Sequence, residues 1–251
     1  MSVTTRVWIA GAGGRLGSAL CHRFDRNTEC KLVTSDQDVP VEDGKQVGRF
    51  ADLNHPDVII NCAGLTDVRR CEKCPEEAYK INALGARNLA VAARRIDAKL
   101  IQISTDDVFD GTAGAALCEF DDAHPVTMYG KSKYAGEKLV RELTDKHVIV
   151  RSSWLYGAGT YDFVDQVLET AARGETVRLP GDEISSPTSA DALAGFIEYL
   201  ITAREYGLYH ASCEGMCSRA EFAHEILRLS GYADVPVEST AAGDTLRPRF
   251  T

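Results

Sequence analysis

The chain has 251 residues, 44% hydrophobic and 26% charged, which gives enough apolar material for a folded core and excludes a disordered chain. Its formal net charge of −9 argues against nucleic acid and anionic membranes as partners, because both demand a basic face. No apolar run reaches the ~18 residues of a membrane span, and the N-terminus carries no leader pattern, so a cytoplasmic protein is expected, its eight cysteines kept as thiols.

The first run, "RVWIAG" from Arg6, reads as a buried strand and is followed at once by "GAGGRLG". Gly11, Gly14 and Gly17 then fall between a strand and a helix, where glycines permit a tight turn and close approach of backbone to a pyrophosphate at the helix N-terminus. The G-x-x-G-x-x-G spacing is that of extended short-chain dehydrogenases. "CKLVTSD" from Cys30 is the second strand. It ends in Asp36, a carboxylate suited to the adenosine ribose hydroxyls, which favours NADH. Arg15 argues the other way, as a partner for the 2′-phosphate of NADPH. NADPH and NADH both stay open. The short interval from Asp36 to Asp57 predicts an abbreviated strand and helix.

"DVIINCAG" from Asp57 is the third strand, a helix is predicted over Pro75 to Arg95, and "KLIQIST" from Lys99 is the fourth strand, ending in Ser104, Thr105 and Asp106. A second helix over Val126 to Leu143 contains "MYGKSKYAGEKL". Tyr129 with Lys133 and Tyr134 with Lys138 are both spaced i, i+4, so each pair shares a helix face. Spacing alone does not choose between them. Thr105 at a strand end ahead of Tyr129 resembles the hydroxyl, tyrosine and lysine arrangement of short-chain dehydrogenases, which makes Tyr129 and Lys133 the working pair. A lysine one turn away stabilises the phenolate of a group whose pKa is otherwise near 10.

"HVIVRSS" from His147 completes a strand and helix alternation that predicts a Rossmann-like doubly wound parallel sheet. Beyond it, helices are expected around Tyr161 to Arg173, Ser189 to Thr202 and Ser218 to Ser230, with strands "TVRL" and "GLYHAS" between them. This divides the chain into an NAD(P)-binding domain, 1–153, and a smaller C-terminal substrate lobe, 154–251. The first strand or helix of that lobe is expected to be fed back through the main sheet. "CEKC" and "CEGMC" lack a second C-x-x-C or His pair, so no metal site is expected.

The motifs "GAGGRLG", "PDVIINCAGLTDV", "AYKINALGARNLA", "QISTDDVFDG", "MYGKSKYAGE", "VRSSWLYG" and "ISSPTSADALA" together resemble the dTDP-4-dehydrorhamnose reductase family nearly end to end. The resemblance implies NAD(P)H-dependent reduction of the 4-keto group of dTDP-4-dehydro-6-deoxy-L-mannose to dTDP-L-rhamnose, with Thr105, Tyr129 and Lys133 catalytic. It implies cofactor contacts from Leu16, Asp38, Val39, Gly64, Leu65 and Thr66. Asp106, Trp154, Ser186, Pro187 and Thr188 are implied in the substrate site. The two phosphates of such a substrate need local donors on an acidic protein, and Arg247 and Arg249 of the closing "RPRF" are candidates. Asp107 stands where the family usually has tyrosine, and Leu65 where a histidine is often found. The family continues beyond "LRPRFT", which implies a truncated C-terminal segment. A monomer or homodimer is expected. Two other readings fit the same residues: a catalytically silent NADP-binding subunit resembling the β subunit of methionine adenosyltransferase, and a reductase or epimerase of another nucleotide sugar.

Overall fold

The computed structural model describes residues 4–241, and in it the apolar runs pair in parallel. In chain order come β1 (Thr5–Ala10), α1 (Arg15–Phe24), β2 (Cys30–Ser35), α2 (Gly44–Asn54), β3 (Val58–Asn61), α3 (Val68–Lys73) and α4 (Pro75–Tyr79). A π-helical turn (Lys80–Leu84) leads into α5 (Gly85–Arg95), β4 (Lys99–Thr105), α6 (Met128–Leu143) and β5 (His147–Ser152). There follow β6 (Leu155–Tyr156), α7 (Phe163–Ala172), β7 (Val177–Pro180), β8 (Ile184–Ser185), β9 (Thr188–Ser189), α8 (Ala190–Thr202), β10 (Gly207–His210), β11 (Cys217–Ser218), α9 (Arg219–Leu229) and β12 (Val237–Thr240). The main sheet has the order β10-β5-β4-β3-β1-β2, and every pairing in it is parallel.

Alternation along each strand sends its side chains into two separate cores. Trp8, Ala10, Ile59, Leu100 and Ile149 face α2, α5 and α6, where they meet Val47, Ala51, Leu89, Ala93 and Val140. Val7, Ile9, Ile60, Ile101 and Val148 face α1 and α8, where they meet Leu20, Phe24, Leu193 and Ile197. Each fully buried side chain of this size contributes roughly 1.5–3 kcal/mol. α7, α9, β7 and β12 enclose a third, smaller core around Val167, Val177, Ala223 and Leu227.

Three features differ from the sequence expectation. The interval after Asp36 holds a full helix, α2, of 11 residues, because Asp43 caps it by accepting from the Lys45 and Gln46 amides and so starts it early. The elements returned to the main sheet are α8 and β10, not the first elements of the lobe. Lys99, at the start of β4, anchors that return by donating to the carbonyls of Leu200 (2.8 Å), Ile201 (3.2 Å) and Ala203, which satisfies acceptors left over at the end of α8. The helix expected over Pro75 to Arg95 is interrupted by the π-helical turn, an irregularity that is frequent at functional sites. Among the described residues no helix is long and apolar enough to cross a membrane.

Candidate active site

The carboxyl ends of the sheet strands open onto one edge, where an α/β sheet of this winding binds its ligands. Gly11 has φ +80°, and a Cβ there would lie 2.5 Å from the Ala63 nitrogen. At Gly17 a Cβ would lie 2.2 Å from the Gly11 carbonyl oxygen. Gly11 therefore lets the turn pass close to the chain after β3, and Gly17 lets it close on itself. Gly14 is the N-cap of α1, with no side-chain cap and no acidic residue in the first turn, so the first amides of α1 are free of a side-chain acceptor and suit a pyrophosphate. Asp36 stands at the end of β2 with Oδ2 over Gly13, where a Cβ would lie only 2.1 Å away. A cavity of 460 Å³ is lined by Gly11, Gly14, Asp36, Gln37, Pro40, Val41 and Gly64, a glycine turn joined to a carboxylate that fits the adenosine half of a dinucleotide.

A larger cavity of 660 Å³ shares Gly14, Cys62, Ala63 and Gly64 with the first and reaches Leu16, Thr66, Thr105, Asp106, Asp107, Tyr129, Lys133, Trp154 and Arg219. Tyr129 and Lys133 come from α6, which Thr127 caps by accepting from the Gly130 amide. α6 lies unusually close to its neighbours: a Cβ at Gly130 would be 2.0 Å from the Asp107 carbonyl oxygen, and one at Gly136 would be 2.5 Å from that of Asn82. Lys133 Nζ donates to the Ile103 carbonyl at 2.7 Å. Burial pulls its pKa down to about 8, against the charge of Glu137, which raises it. Thr105 Oγ1 accepts from the Asp107 amide and donates to Asp106 Oδ1.

The competing pair, Tyr134 and Lys138, is directed at itself, with Lys138 Nζ 4.9 Å from the Tyr134 ring centre. Neither residue lines either cavity.

The far wall belongs to the C-terminal lobe. Trp154 holds φ +38°, an uncommon conformation for a bulky residue, and the Arg219 guanidinium lies 3.5 Å from its ring centre. Arg219 also faces Phe163 and pairs with Glu183 at 3.6 Å. Arg15 crosses from the glycine turn to this wall, pairing with Asp162 at 3.3 Å and donating to the Gly157 and Thr160 carbonyls.

Several of the expected contact residues have protein partners of their own. Arg15 pairs with Asp162 and lines the larger cavity but not the one that contains Asp36. Val39 is core, packed with Trp8 and Val47, and Asp38 accepts from the Asp36 amide, which closes the turn after β2. Leu65 packs with Val68, Cys71 and Tyr129, leaving Gly64 and Thr66 on the cavity. The Ser186-Pro187-Thr188 turn is tied to its surroundings by hydrogen bonds, and Ser186 lines a smaller cavity of 160 Å³ with Asp106, Ser152 and Ser153. The Ser186 carbonyl accepts from Ser153 and Thr188, and the Ser186 hydroxyl bonds Gly215. Ser185, just before the turn, donates to Asp106 Oδ2 at 2.9 Å. Arg247 and Arg249 lie outside the described residues.

Four residues of the site escaped the sequence reading. Gly13, within "GAGG", was not singled out, yet a Cβ there would meet Asp36 Oδ2. Asn82, inside an apparently regular helix, turns inward at the π-helical turn to bond the Leu65 amide (2.8 Å), the Leu65 carbonyl (3.0 Å) and the Ser132 hydroxyl (2.9 Å), fixing the loop that carries Gly64. Glu137 is fully buried and was not singled out, although it lies one turn beyond Lys133 on the same face. Arg219 follows the Ser218 N-cap as an ordinary first-turn residue.

The model of the RmlD substrate binding domain matches residues 5–249. The spore coat polysaccharide biosynthesis protein SpsK of Bacillus subtilis is 37% identical over 98% of this chain and 88% of its own length. A dTDP-4-dehydrorhamnose reductase of Streptomyces griseus is 35% identical over 97% of this chain and 83% of its own. Among solved structures, a dTDP-4-dehydrorhamnose reductase of Bacillus anthracis in complex with NADP superposes with a TM-score of 0.95 at 38% identity, covering 98% of this chain and 89% of that one.

Proposed function

From the premise that this chain belongs to the RmlD substrate binding domain family, we propose that it is an NAD(P)H-dependent reductase of a 4-keto nucleotide sugar. Its substrate in this reading is dTDP-4-dehydro-6-deoxy-L-mannose and its product dTDP-L-rhamnose. The observation that carries the reading is the convergence of Thr105, Tyr129 and Lys133 on a cavity that also contains Gly14 and Gly64.

Gly11, Gly14, Gly17 and the N-terminus of α1 would hold the pyrophosphate of the cofactor, with Asp36 on the adenosine ribose. Bound there, the reduced nicotinamide supplies the hydride. Tyr129 gives its phenolic proton to the sugar oxygen as negative charge develops on it. Lys133, protonated at neutral pH, stabilises the phenolate left behind. The Thr105 hydroxyl turns from Asp106 to the same sugar oxygen, strengthening as the alkoxide forms. Trp154 offers a flat apolar surface to the nucleotide sugar, and Arg219 offers donors to its phosphates.

The division at residue 153, a cytoplasmic location and a monomer or homodimer belong to the same proposal. NADPH and NADH oxidation against a panel of 4-keto-6-deoxy nucleotide sugars tests it. Oxidation is expected with the dTDP-linked 4-keto sugar. Tight cofactor binding with no oxidation on any member of the panel would replace the reductase by a silent binding subunit.

A further inference from the structure

Glu137 is fully buried behind the cavity and touches three elements at once. On α6 it follows Tyr129 and Lys133 at i+8 and i+4, so the three side chains share one face. Its carboxylate accepts from Arg151 Nε at 3.0 Å and Nη2 at 2.8 Å, a bidentate pair with both partners buried. The same carboxylate accepts the Ser104 hydroxyl. Ser104 and Arg151 are direct register partners on β4 and β5, and the next pair along is Thr105 with Ser152. One carboxylate thus ties the helix carrying the phenol and ammonium to the strand position just before the threonine.

A buried ion pair is weak evidence for stability, since apolar residues of similar volume often serve as well. What it fixes is geometry. The contacts of Gly130 and Gly136 set how closely α6 approaches, but they are non-directional. The hydrogen bonds of Glu137 are directional and set the rotation and axial position of the helix.

We infer that Glu137, through Ser104 and Arg151, is a positioning residue that holds the Tyr129 and Lys133 face in register with Thr105; this rests on the reductase reaction proposed above. A displacement of about 1 Å at a reacting group can cost roughly a hundredfold in rate. Glu137 also acts on Lys133 by charge. The groups acting on that ammonium are Glu137 on α6, Cys62 at the end of β3 and the Ile103 carbonyl on β4, with Arg151 behind Glu137 on β5; Tyr129, Asp106 and Asp107 line the same cavity.

Two variants separate position from fold. Glu137→Gln keeps the shape and removes the charge. The double variant Glu137→Leu with Arg151→Met removes both charges and leaves apolar packing. Kinetics are read as ratios to wild type at a temperature where circular dichroism shows each variant folded. Wild-type turnover judges the reaction itself, so its failure is distinct from a failure of the variants. The expectation is a kcat lower by about tenfold or more in both variants, with the sugar-nucleotide KM and the NADPH Kd within about threefold. In Glu137→Gln the alkaline limb of kcat should also move to lower pH, because the charge that raises the Lys133 pKa is gone. A folded double variant with wild-type kcat, or a Glu137→Gln enzyme whose lost activity matches its unfolded fraction with an unmoved limb, would overturn the inference. If neither variant folds, Ser104→Ala decides. A kcat lower by about threefold or more at unchanged KM supports the clamp, and wild-type kcat overturns it.

Discussion

The floor of the cleft and its far wall hold their side chains by different means. On the floor, Thr105, Tyr129 and Lys133 are fixed by strand register, by a helix pressed against carbonyl oxygens at Gly130 and Gly136, and by buried hydrogen bonds. On the wall, Trp154, Asp162 and Arg219 are fixed by ring stacking and by ion pairs that reach across the chain, Arg219 to Glu183 and Arg15 to Asp162. The first arrangement leaves little freedom, as atoms that take part in bond making require. The second uses flat faces and charges, which adapt to a ligand by small rotations. In the proposed reaction the floor carries the chemistry and the wall the choice of substrate.

The largest effect that sharpens this division is expected on the floor. Tyr129→Phe should lower kcat by about a hundredfold or more while cofactor binding persists, and Tyr134→Phe should do little; steady-state kinetics of the two side by side checks the pair. On the wall, Arg219→Ala should raise the sugar-nucleotide KM by about tenfold or more, the scale of a lost charge-assisted hydrogen bond, with kcat and the cofactor KM nearly unchanged. A fall in kcat alone would blur the two regions.

Lys133 gives a pH test with opposite signs for activity and stability. Its pKa is lowered to about 8 from 10.5, so activity that needs the ammonium should fall above pH 8, approaching about tenfold per unit. Between those two values the unfolded chain binds the extra proton, so this group's contribution to stability rises with pH. Lys133→Met should remove that rise from urea titrations taken across the window. Asp36→Ser should shift the preference toward NADPH by about tenfold, because the carboxylate that repels a 2′-phosphate is gone. The smallest effect is expected for Arg15→Ala, whose NADPH to NADH ratio should stay within about twofold of wild type, since the guanidinium is directed at Asp162 and the Gly157 and Thr160 carbonyls, on the scale of a contact that does not tell the two cofactors apart. A selective loss of NADPH would return Arg15 to the cofactor.

The same division explains what could be read in the sequence. Strand runs with apolar side chains on both faces, and glycines between a strand and a helix, are local patterns, so the parallel sheet, the glycine turn and the face of α6 were all legible. Tyr129 was separated from Tyr134 by its relation to a strand end; in the structure Tyr129 lines the larger cavity, while Tyr134 is in contact with Lys138 and lines neither. Asn82 and Arg219 were not legible. A π-helical turn differs from an α-helix by one hydrogen-bond step that leaves no mark in apolar spacing, and the stacking of Arg219 on Trp154 joins residues far apart in the chain. The partner of Arg15 was not legible for a related reason: its neighbours in sequence suggested a phosphate, whereas Asp162 lies in the other lobe.

The central claim, that Tyr129 and its neighbours on the floor carry out reduction at the sugar carbonyl, is tested most directly by single-turnover transfer from a cofactor deuterated at the nicotinamide C4 position. Wild-type enzyme with the dTDP-linked 4-keto sugar should place one deuterium on hexose C4, and Tyr129→Phe should do so at least about a hundredfold more slowly. Deuterium absent from C4 in the wild-type product, or delivered there by Tyr129→Phe at the wild-type rate, would contradict it.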